Sequence, residues 1–433
     1  MKLGLLGEKL GHSLSPAIHD MALKALGVDG NYGLIEVPTQ GLADFMQSFK
    51  DGAYDGINVT IPYKREVIQY LDALSDGAAR IGAVNTILRE GKTLKGFNTD
   101  YDGFGALLAA NFIDTAGEDF VVLGAGGAAN SVLTYLSDHA AGSITLVSRS
   151  PESAERGFSG KSFAVPFKTA GYVDLNLEGK ILVNTTPVGM HPKEGVSPIP
   201  ADALNGCKTL VDLIYNPAQT RLMQDAITKG IPAVNGLYML AAQAMKAEEI
   251  WQGRAMDGWL TRQIYNSLSQ DKPNIVITGM PGSGKTTVGK LVAEQLNMDF
   301  FDMDADIEAR FGDIHALFAK GEEHFRDIEF QTAAAAANRT NTVVCTGGGV
   351  VKRNENMKHL AGTGAIFFLD RPVEQIYGDV DADSRPLLKQ DKSAVFKLYE
   401  ERIGLYQKFS HCRIANETDA ETAAAQIIEK WRV

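Results

Sequence analysis

Short apolar runs alternate with amphipathic stretches along most of the chain. KLGLLG, GINVTIP, DFVVLGAG, SITLVS, KILVNTT and TLVDLIY each have the length, the β-branched content and the polar or glycine borders of a strand. Helically spaced segments separate them, which is the pattern of parallel sheets flanked by helices. From residue 237 to 268 the pattern turns helical and ends in the amphipathic MDGWLTRQIYNSL. SQDKPN follows, short, polar and proline-containing, and reads as a linker. A new strand, IVITG, starts at once, with NTVVCTGG and GAIFFLD further on. The AAAAA run at 333–337 predicts helix interior, because alanine loses no side-chain entropy in a helix. The clearest boundary lies near residue 271.

Composition narrows the class. A chain of 433 residues is too long for one typical core and predicts two or three domains. The net charge is −11, and the acidic excess is shared: 22 basic against 28 acidic residues in 1–270, 20 against 25 in the rest. That argues against nucleic acid or an anionic membrane as partner. Cys207, Cys345 and Cys412 are odd in number, widely spaced and in no C-x-x-C pair, as in a reducing compartment. MKLGLLGEKLGHS is broken by glycine and charge too early for a signal peptide. No apolar run reaches the roughly 18 residues of a spanning helix. The expectation is a cytoplasmic α/β protein acting on small molecules; oligomeric state is not legible.

In the second part, GMPGSGKTT follows a strand directly. Gly279, Gly282, Ser283 and Gly284 turn backbone N–H groups toward phosphate oxygens, and the helix starting near Lys285, Thr286 and Thr287 adds its positive end. Lys285 reaches the β and γ phosphates and Thr286 ligates Mg²⁺. FFDMDADIE then sets Asp302 and Asp304 two apart at a strand end, where strand alternation offsets their side chains. One carboxylate suits the Mg²⁺ shell and the other an acceptor hydroxyl; a solvated acidic turn is the bland alternative. GEEHFRDIE puts Arg326 three residues before Glu329 on a helix, a pair that fixes the guanidinium. VVCTGGGVV supplies Gly347, Gly348 and Gly349, where backbone must approach a ligand closely, and SRPLL and YEERIGLY supply Arg385 and Arg402.

Together these motifs resemble shikimate kinase along essentially all of 272–433. The resemblance implies that Asp304 holds ring hydroxyls of shikimate, with Gly347–Gly349 beside it. Arg326 and Arg402 would clamp its carboxylate, and Arg385, on a lid, would stabilise the transferring phosphoryl group. One departure stands out. The arginine that the family places before RPLL to pack on adenine is missing from IYGDVDADSRPLL, and Tyr377 is the aromatic at hand.

In the first part, VVLGAGGAAN gives G-x-G-x-x-A at Gly124, Gly126 and Ala129 after a strand. With SITLVSRS one strand later, this is the setting of a dinucleotide fold, its pyrophosphate on Gly124, Ala125, Gly126, Gly127 and Ala128. Where an NAD enzyme has an acidic residue, this chain has Ser148, Arg149 and Ser150, which favours the 2′-phosphate of NADP. NAD stays open, and Arg156 is the next cation along the chain. GHSLSPAIHD fits a helix start with Ser15 as N-cap and Pro16 as first helical residue. NVTIPYK places Asn58, Thr60 and Lys64 at a strand end, with Lys64 the natural proton donor. GAVNT supplies Asn85 and GFNTDYDGF supplies Asp100.

HSLSP, NVTIPYK, GAVNT, NTD, GAGGAA, IYNP and the Gln243 of LAAQAMKA resemble shikimate dehydrogenase across 1–268. The resemblance implies substrate carboxylate on Ser13 and Ser15, and ring hydroxyls on Thr60, Asn85, Asp100 and Gln243. Tyr215 would line the cleft, and Lys64 with Asp100 would form the catalytic pair. The expected fold is α/β throughout. Residues 1–102 and 236–268 would form a substrate-binding domain, and 103–235 a Rossmann-type NADP domain. A P-loop parallel α/β domain of the nucleoside-monophosphate-kinase kind would fill 271–433. The expected enzyme reduces 3-dehydroshikimate to shikimate with NADP(H), then phosphorylates shikimate with ATP and Mg²⁺. Two alternatives are a quinate/shikimate dehydrogenase fused to another small-molecule kinase, and a ligand-binding protein with one inactive domain.

Overall fold

The computed structural model describes residues 1–11, 13–158, 160, 162–269, 272–379 and 393–431. Arg385 therefore lies outside the described residues. The chain divides into two compact units, one built from Met1–Ala109 and Asp114–Leu268, the other from Ala110–Ile113 and the chain after Leu268.

The first unit holds two sheets. β1 (Lys2–Gly7), β2 (Asn31–Glu36), β3 (Gly56–Val59), β4 (Ala73–Leu74), β5 (Thr86–Glu90) and β6 (Thr93–Phe97) pair in the order β2-β1-β3-β5-β6-β4. β1 is parallel to both its neighbours, whereas β5 is antiparallel to β3 and β6. One face is packed by Leu6, Phe49, Ile57, Val59, Tyr63 and Ile87, the other by Leu3, Leu5, Leu23, Tyr32, Ala247 and Trp251. Helices Ser15–Ala25 and Leu237–Gln252 supply Leu23, Ala247 and Trp251 to that second face. Gly56 is dictated by this packing, because a Cβ there would stand 2.3 Å from Trp251 Nε1.

β7 (Asp119–Leu123), β8 (Ser143–Val147), β9 (Phe167–Ala170), β10 (Ile181–Asn184), β11 (Thr209–Asp212) and β12 (Ala233–Asn235) form an all-parallel sheet, order β12-β11-β10-β7-β8-β9. The order reverses between β7 and β10, where doubly wound sheets open a ligand crevice at their carboxyl ends. β10 and β11 are buried at every position, which is why neither alternates apolar with polar residues.

In the second unit, β13 (Asn274–Thr278), β14 (Asp299–Asp302), β15 (Thr342–Cys345), β16 (Gly364–Asp370) and β17 (Cys412–Ala415) run parallel in the order β14-β15-β13-β16-β17. The glycine-rich loop leaves the carboxyl end of β13, the central strand. Ala333–Ala337 close the helix Glu322–Ala337, as alanine propensity predicts.

Candidate active sites

In the first unit β3 ends at Val59, and a tight turn follows in which Tyr63 N donates to Thr60 O at 2.9 Å. The turn presents Lys64, whose Nζ donates to Asp100 Oδ2 at 2.7 Å. Asp100 lies in the first turn of the helix Thr99–Ala110. Asn85, just before β5, ties this pair into the fold. Its Nδ2 is within 3.0 Å of Asp100 Oδ1, 3.1 Å of Thr99 Oγ1 and 3.2 Å of Gln243 Oε1, while its Oδ1 accepts from Thr99 N at 2.7 Å. Gln243 arrives from 158 residues away. Gly103 permits it, since a Cβ there would meet Met239 O at 2.8 Å and Gln243 Cβ at 3.0 Å. One basic side chain, one carboxylate and two amides thus share a half-buried cluster.

The other residues singled out in this unit surround it less tightly. Thr60 is half-buried at the strand end, its N–H on Leu6 O. Ser13 Oγ accepts from Ser15 N at 3.2 Å, and Ser15 faces the Tyr32 phenol. Tyr215 follows β11, and burial pushes its phenol up. One expectation is corrected: Leu14 is the N-cap, with Ser15 and Pro16 inside the helix. Ser15 already stands inside the first turn, and Leu14 at the cap has no side-chain acceptor to close the helix end.

At the β7–β10 crevice, Gly124 has φ +95°, and a Cβ there would stand 2.8 Å from Thr186 Cγ2. A Cβ on Gly126 or Gly127 would meet open space, and the helix Gly127–Asp138 starts without a side-chain cap. Uncapped N–H groups beside open space suit a pyrophosphate. Ser148 follows β8, its Oγ accepting from Ser150 N at 3.2 Å, and Arg149 is exposed near Tyr172.

In the second unit the loop after β13 bends through positive φ at Gly279, Gly282 and Gly284, and leads into an uncapped helix, Lys285–Leu296. Two side chains from distant strand ends hold its carbonyls outward. Arg371 Nη1 donates to Gly282 O at 3.1 Å, and Asn416 Nδ2 donates to Ser283 O at 2.8 Å. Ser283 N–H is spent inside the loop, on Met280 O at 3.1 Å. Lys285 Nζ lies on Gly279 O and Met280 O, at 3.0 and 2.8 Å.

Thr286 Oγ1 donates to Asp302 Oδ2 at 2.8 Å. Asp302 Oδ1 caps the next helix, accepting from Asp304 N and Ala305 N. Here the sequence reading is corrected: Asp304 belongs to the helix Met303–Phe311, not to a strand. The cap, rather than strand alternation, separates the two carboxylates.

Arg326 Nη1 donates to Glu329 Oε2 at 2.8 Å, with side chains only 6% and 2% exposed. Burial pushes the Glu329 carboxyl up, Arg326 opposes the shift and Asp304 adds to it. Arg402 Nη1 donates to Gly348 O at 2.9 Å. The Nε atoms of both arginines are buried with no acceptor among the described residues. The glycine triplet has a reason that the sequence did not disclose. A Cβ on Gly347 would come within 2.6 Å of Asp304 Oδ1, on Gly348 within 2.7 Å of Pro281, and on Gly349 within 2.3 Å of Arg326 Nη1. Each glycine clears a different neighbour.

Residues 5–87 match the family model described as shikimate dehydrogenase substrate binding domain, and 281–432 the one described as shikimate kinase. The shikimate dehydrogenase (NADP(+)) of Clostridium beijerinckii is 45% identical over 264 residues, 61% of this chain and 96% of that protein. The chain belongs to the shikimate dehydrogenase family. The counterpart in Clostridium perfringens strain 13 is 44% identical over 62% of the chain and 98% of its own length. The dehydrogenase unit also resembles the Thermus thermophilus enzyme solved with NADP(H) and shikimate. That likeness has 33% identity and a TM-score of 0.56, and covers 62% of this chain and 99% of that one. A shikimate kinase domain follows the dehydrogenase unit, so the chain is a bifunctional shikimate-pathway enzyme. No helix among the described residues is long and apolar enough to cross a membrane.

What the motifs did not reveal in the dehydrogenase unit is the polar interior behind the cleft. His19, Tyr32 and Glu248 carry no motif of their own, and only their burial (1%, 6% and 0% exposed) marks them. Asn58 stands out in the sequence for its place at a strand end, not for its bonds.

Proposed function

We propose that the two sites act in succession on one ring, and that the residues gathered at each have the following roles. In the dehydrogenase unit, Gly124–Ala128 and Ser148–Ser150 would hold NADPH, which would supply hydride to the ketone carbon of 3-dehydroshikimate. Charge then develops on the ketone oxygen, and Lys64 Nζ donates its proton there, giving shikimate. Asp100 aims the ammonium through the 2.7 Å bond and accepts from the adjacent ring hydroxyl. Asn85 and Gln243 hold Asp100 and the remaining hydroxyls, joined by Thr60. Ser13 and Ser15 take the carboxylate, and Tyr215 walls the cleft.

In the kinase domain, Mg-ATP supplies the phosphoryl group to the 3-hydroxyl. Lys285 and the loop N–H groups bind phosphate oxygens, and Thr286 with Asp302 forms the Mg²⁺ side of the site. Asp304 orients the acceptor, and Arg326 and Arg402 clamp the carboxylate. Support for the clamp comes from their two unpartnered Nε donors, because a buried guanidinium N–H without an acceptor is costly and a carboxylate satisfies it. Arg385, outside the described residues, keeps its lid role. On this reading the partners are small molecules and the compartment is the cytoplasm.

The observation that carries the dehydrogenase reading is the Lys64–Asp100 pair held by Asn85. Both readings are tested by mixing the protein with 3-dehydroshikimate, NADPH and Mg-ATP and following products by mass spectrometry. Shikimate 3-phosphate with ATP, and shikimate without it, is the expected result. Shikimate alone despite ATP would sink the kinase roles, and no conversion by folded protein would sink both.

A further inference from the structure

We infer that His19 and Glu248 are positioning residues for the reduction, although neither belongs to the cleft. This rests on Lys64 and Asp100 being the reacting pair. His19 Nδ1 and Glu248 Oε1 are 2.7 Å apart, with side chains 1% and 0% exposed. The second carboxylate oxygen accepts from Gln252 Nε2 at 2.7 Å. A carboxylate so deeply buried persists only when hydrogen-bonded, and an apolar pair would pack two helices at least as well. The polar pair therefore calls for a purpose beyond adhesion.

Direction supplies it. The imidazole lies flat on the Tyr32 ring, centroids 4.0 Å apart and planes within 7°, with Trp251 tilted at 5.3 Å. Glu248 fixes the imidazole plane, and the stack passes that orientation to Tyr32. The Tyr32 hydroxyl donates to Asn58 Oδ1 at 2.8 Å. Asn58 Nδ2 lies 3.2 Å from Asn85 O and 3.0 Å from Thr86 Oγ1. Asn85 in turn donates to Asp100 Oδ1 at 3.0 Å. A continuous interior path thus joins Glu248 to the carboxylate that aims Lys64. The same pair ties the helix that opens with Ser15 to the helix that bears Gln243, so it also sets the span between these two substrate-facing positions.

The test is steady-state kinetics on the full-length protein, with substrate KM, NADP KM, kcat and Tm measured for each variant. His19→Ala is expected to lower kcat/KM for 3-dehydroshikimate by about 10- to 100-fold, the usual cost of a small misplacement at a reacting pair, and to leave NADP KM unchanged. His19→Asn puts an amide nitrogen near the place of Nδ1 but has no ring to lie on Tyr32, so it should recover only part of that loss, the part owed to the bond with Glu248. Glu248→Gln should raise substrate KM and lower kcat by an intermediate factor. A lower Tm with kcat and substrate KM unchanged in these variants would overturn the inference, as would equal losses for His19→Ala and His19→Asn. If His19→Ala does not fold, unchanged kinetics in Glu248→Gln overturn it alone. Lys64→Ala, assayed in parallel, separates the two levels: full reduction by that variant sinks the reacting pair itself, whatever His19 shows.

Discussion

The two sites solve the problem of holding charge in different ways. Among the described residues of the dehydrogenase cleft the cation is Lys64, which must release a proton; Asn85 holds its carboxylate partner, and Thr99 and Gln243 hold Asn85. The kinase site has no proton to give from its arginines. It locks Arg326 to Glu329 in a buried pair and seats Arg402 on a backbone carbonyl, with glycines cut to fit. The chemistry accounts for the contrast: a proton donor needs a partner that stabilises both its forms, whereas a carboxylate clamp needs a fixed fork. The first site should therefore be sensitive to group identity, and the second to the space around its groups.

The sharpest way to break the comparison is a pair of exchanges. Lys64→Ala should lower reduction by about 10²- to 10⁴-fold while phosphorylation of shikimate is unchanged. Lys285→Ala should do the reverse, and either change removing both activities from folded protein would refute independent sites. Next comes space. Gly349→Ala places a methyl 2.3 Å from Arg326 Nη1, and is expected to cut kinase kcat/KM for shikimate by about 100-fold with ATP KM little changed. A near-normal value would mean that the arginine shifts freely. Asn416→Ala frees one loop carbonyl, so ATP KM should rise about three- to tenfold, the worth of one hydrogen bond, without effect on reduction.

The smallest effect concerns the cysteines. Burial pushes Cys207 up to about 11, and raises Cys345 well above the ordinary thiol range. A raised thiol pKa means less thiolate at a given pH, so at pH 8 only about one Cys207 in a thousand is reactive. Iodoacetamide on native protein should label half-buried Cys412 first, as peptide mass mapping would reveal. Early labelling of Cys345 would mean that the core beneath the phosphate loop opens.

Much of the fold was legible because its central strands are buried on both faces. KLGLLG, DFVVLGAG and KILVNTT hold strands at or within the expected stretches, and the strand at IVITG begins one residue earlier, at Asn274. Edges were harder. β2 reads NYGLIE with only Tyr32 and Ile35 buried, and β4, β9, β12 and β17 are four residues or fewer, too short to show a period. Asp304 departs from its expected place because FFDMD continues an apolar strand pattern, while the cap that ends it depends on Asp302 folding back. At the sites, motif residues could be named one by one, yet their meeting could not. Nothing local in LAAQAMKA says that Gln243 faces Asn85, or that a histidine four residues after Ser15 pairs with Glu248.

The glycine triplet has an evolutionary consequence. Since Gly347, Gly348 and Gly349 answer to Asp304, Pro281 and Arg326 separately, each replacement within the triplet must displace a different neighbour. A lineage changing the acceptor must shrink or move a partner for the matching glycine to vary. The rigid Pro281 ring holds Gly348 most strictly, whereas Gly347 and Gly349 face side-chain ends that can move aside.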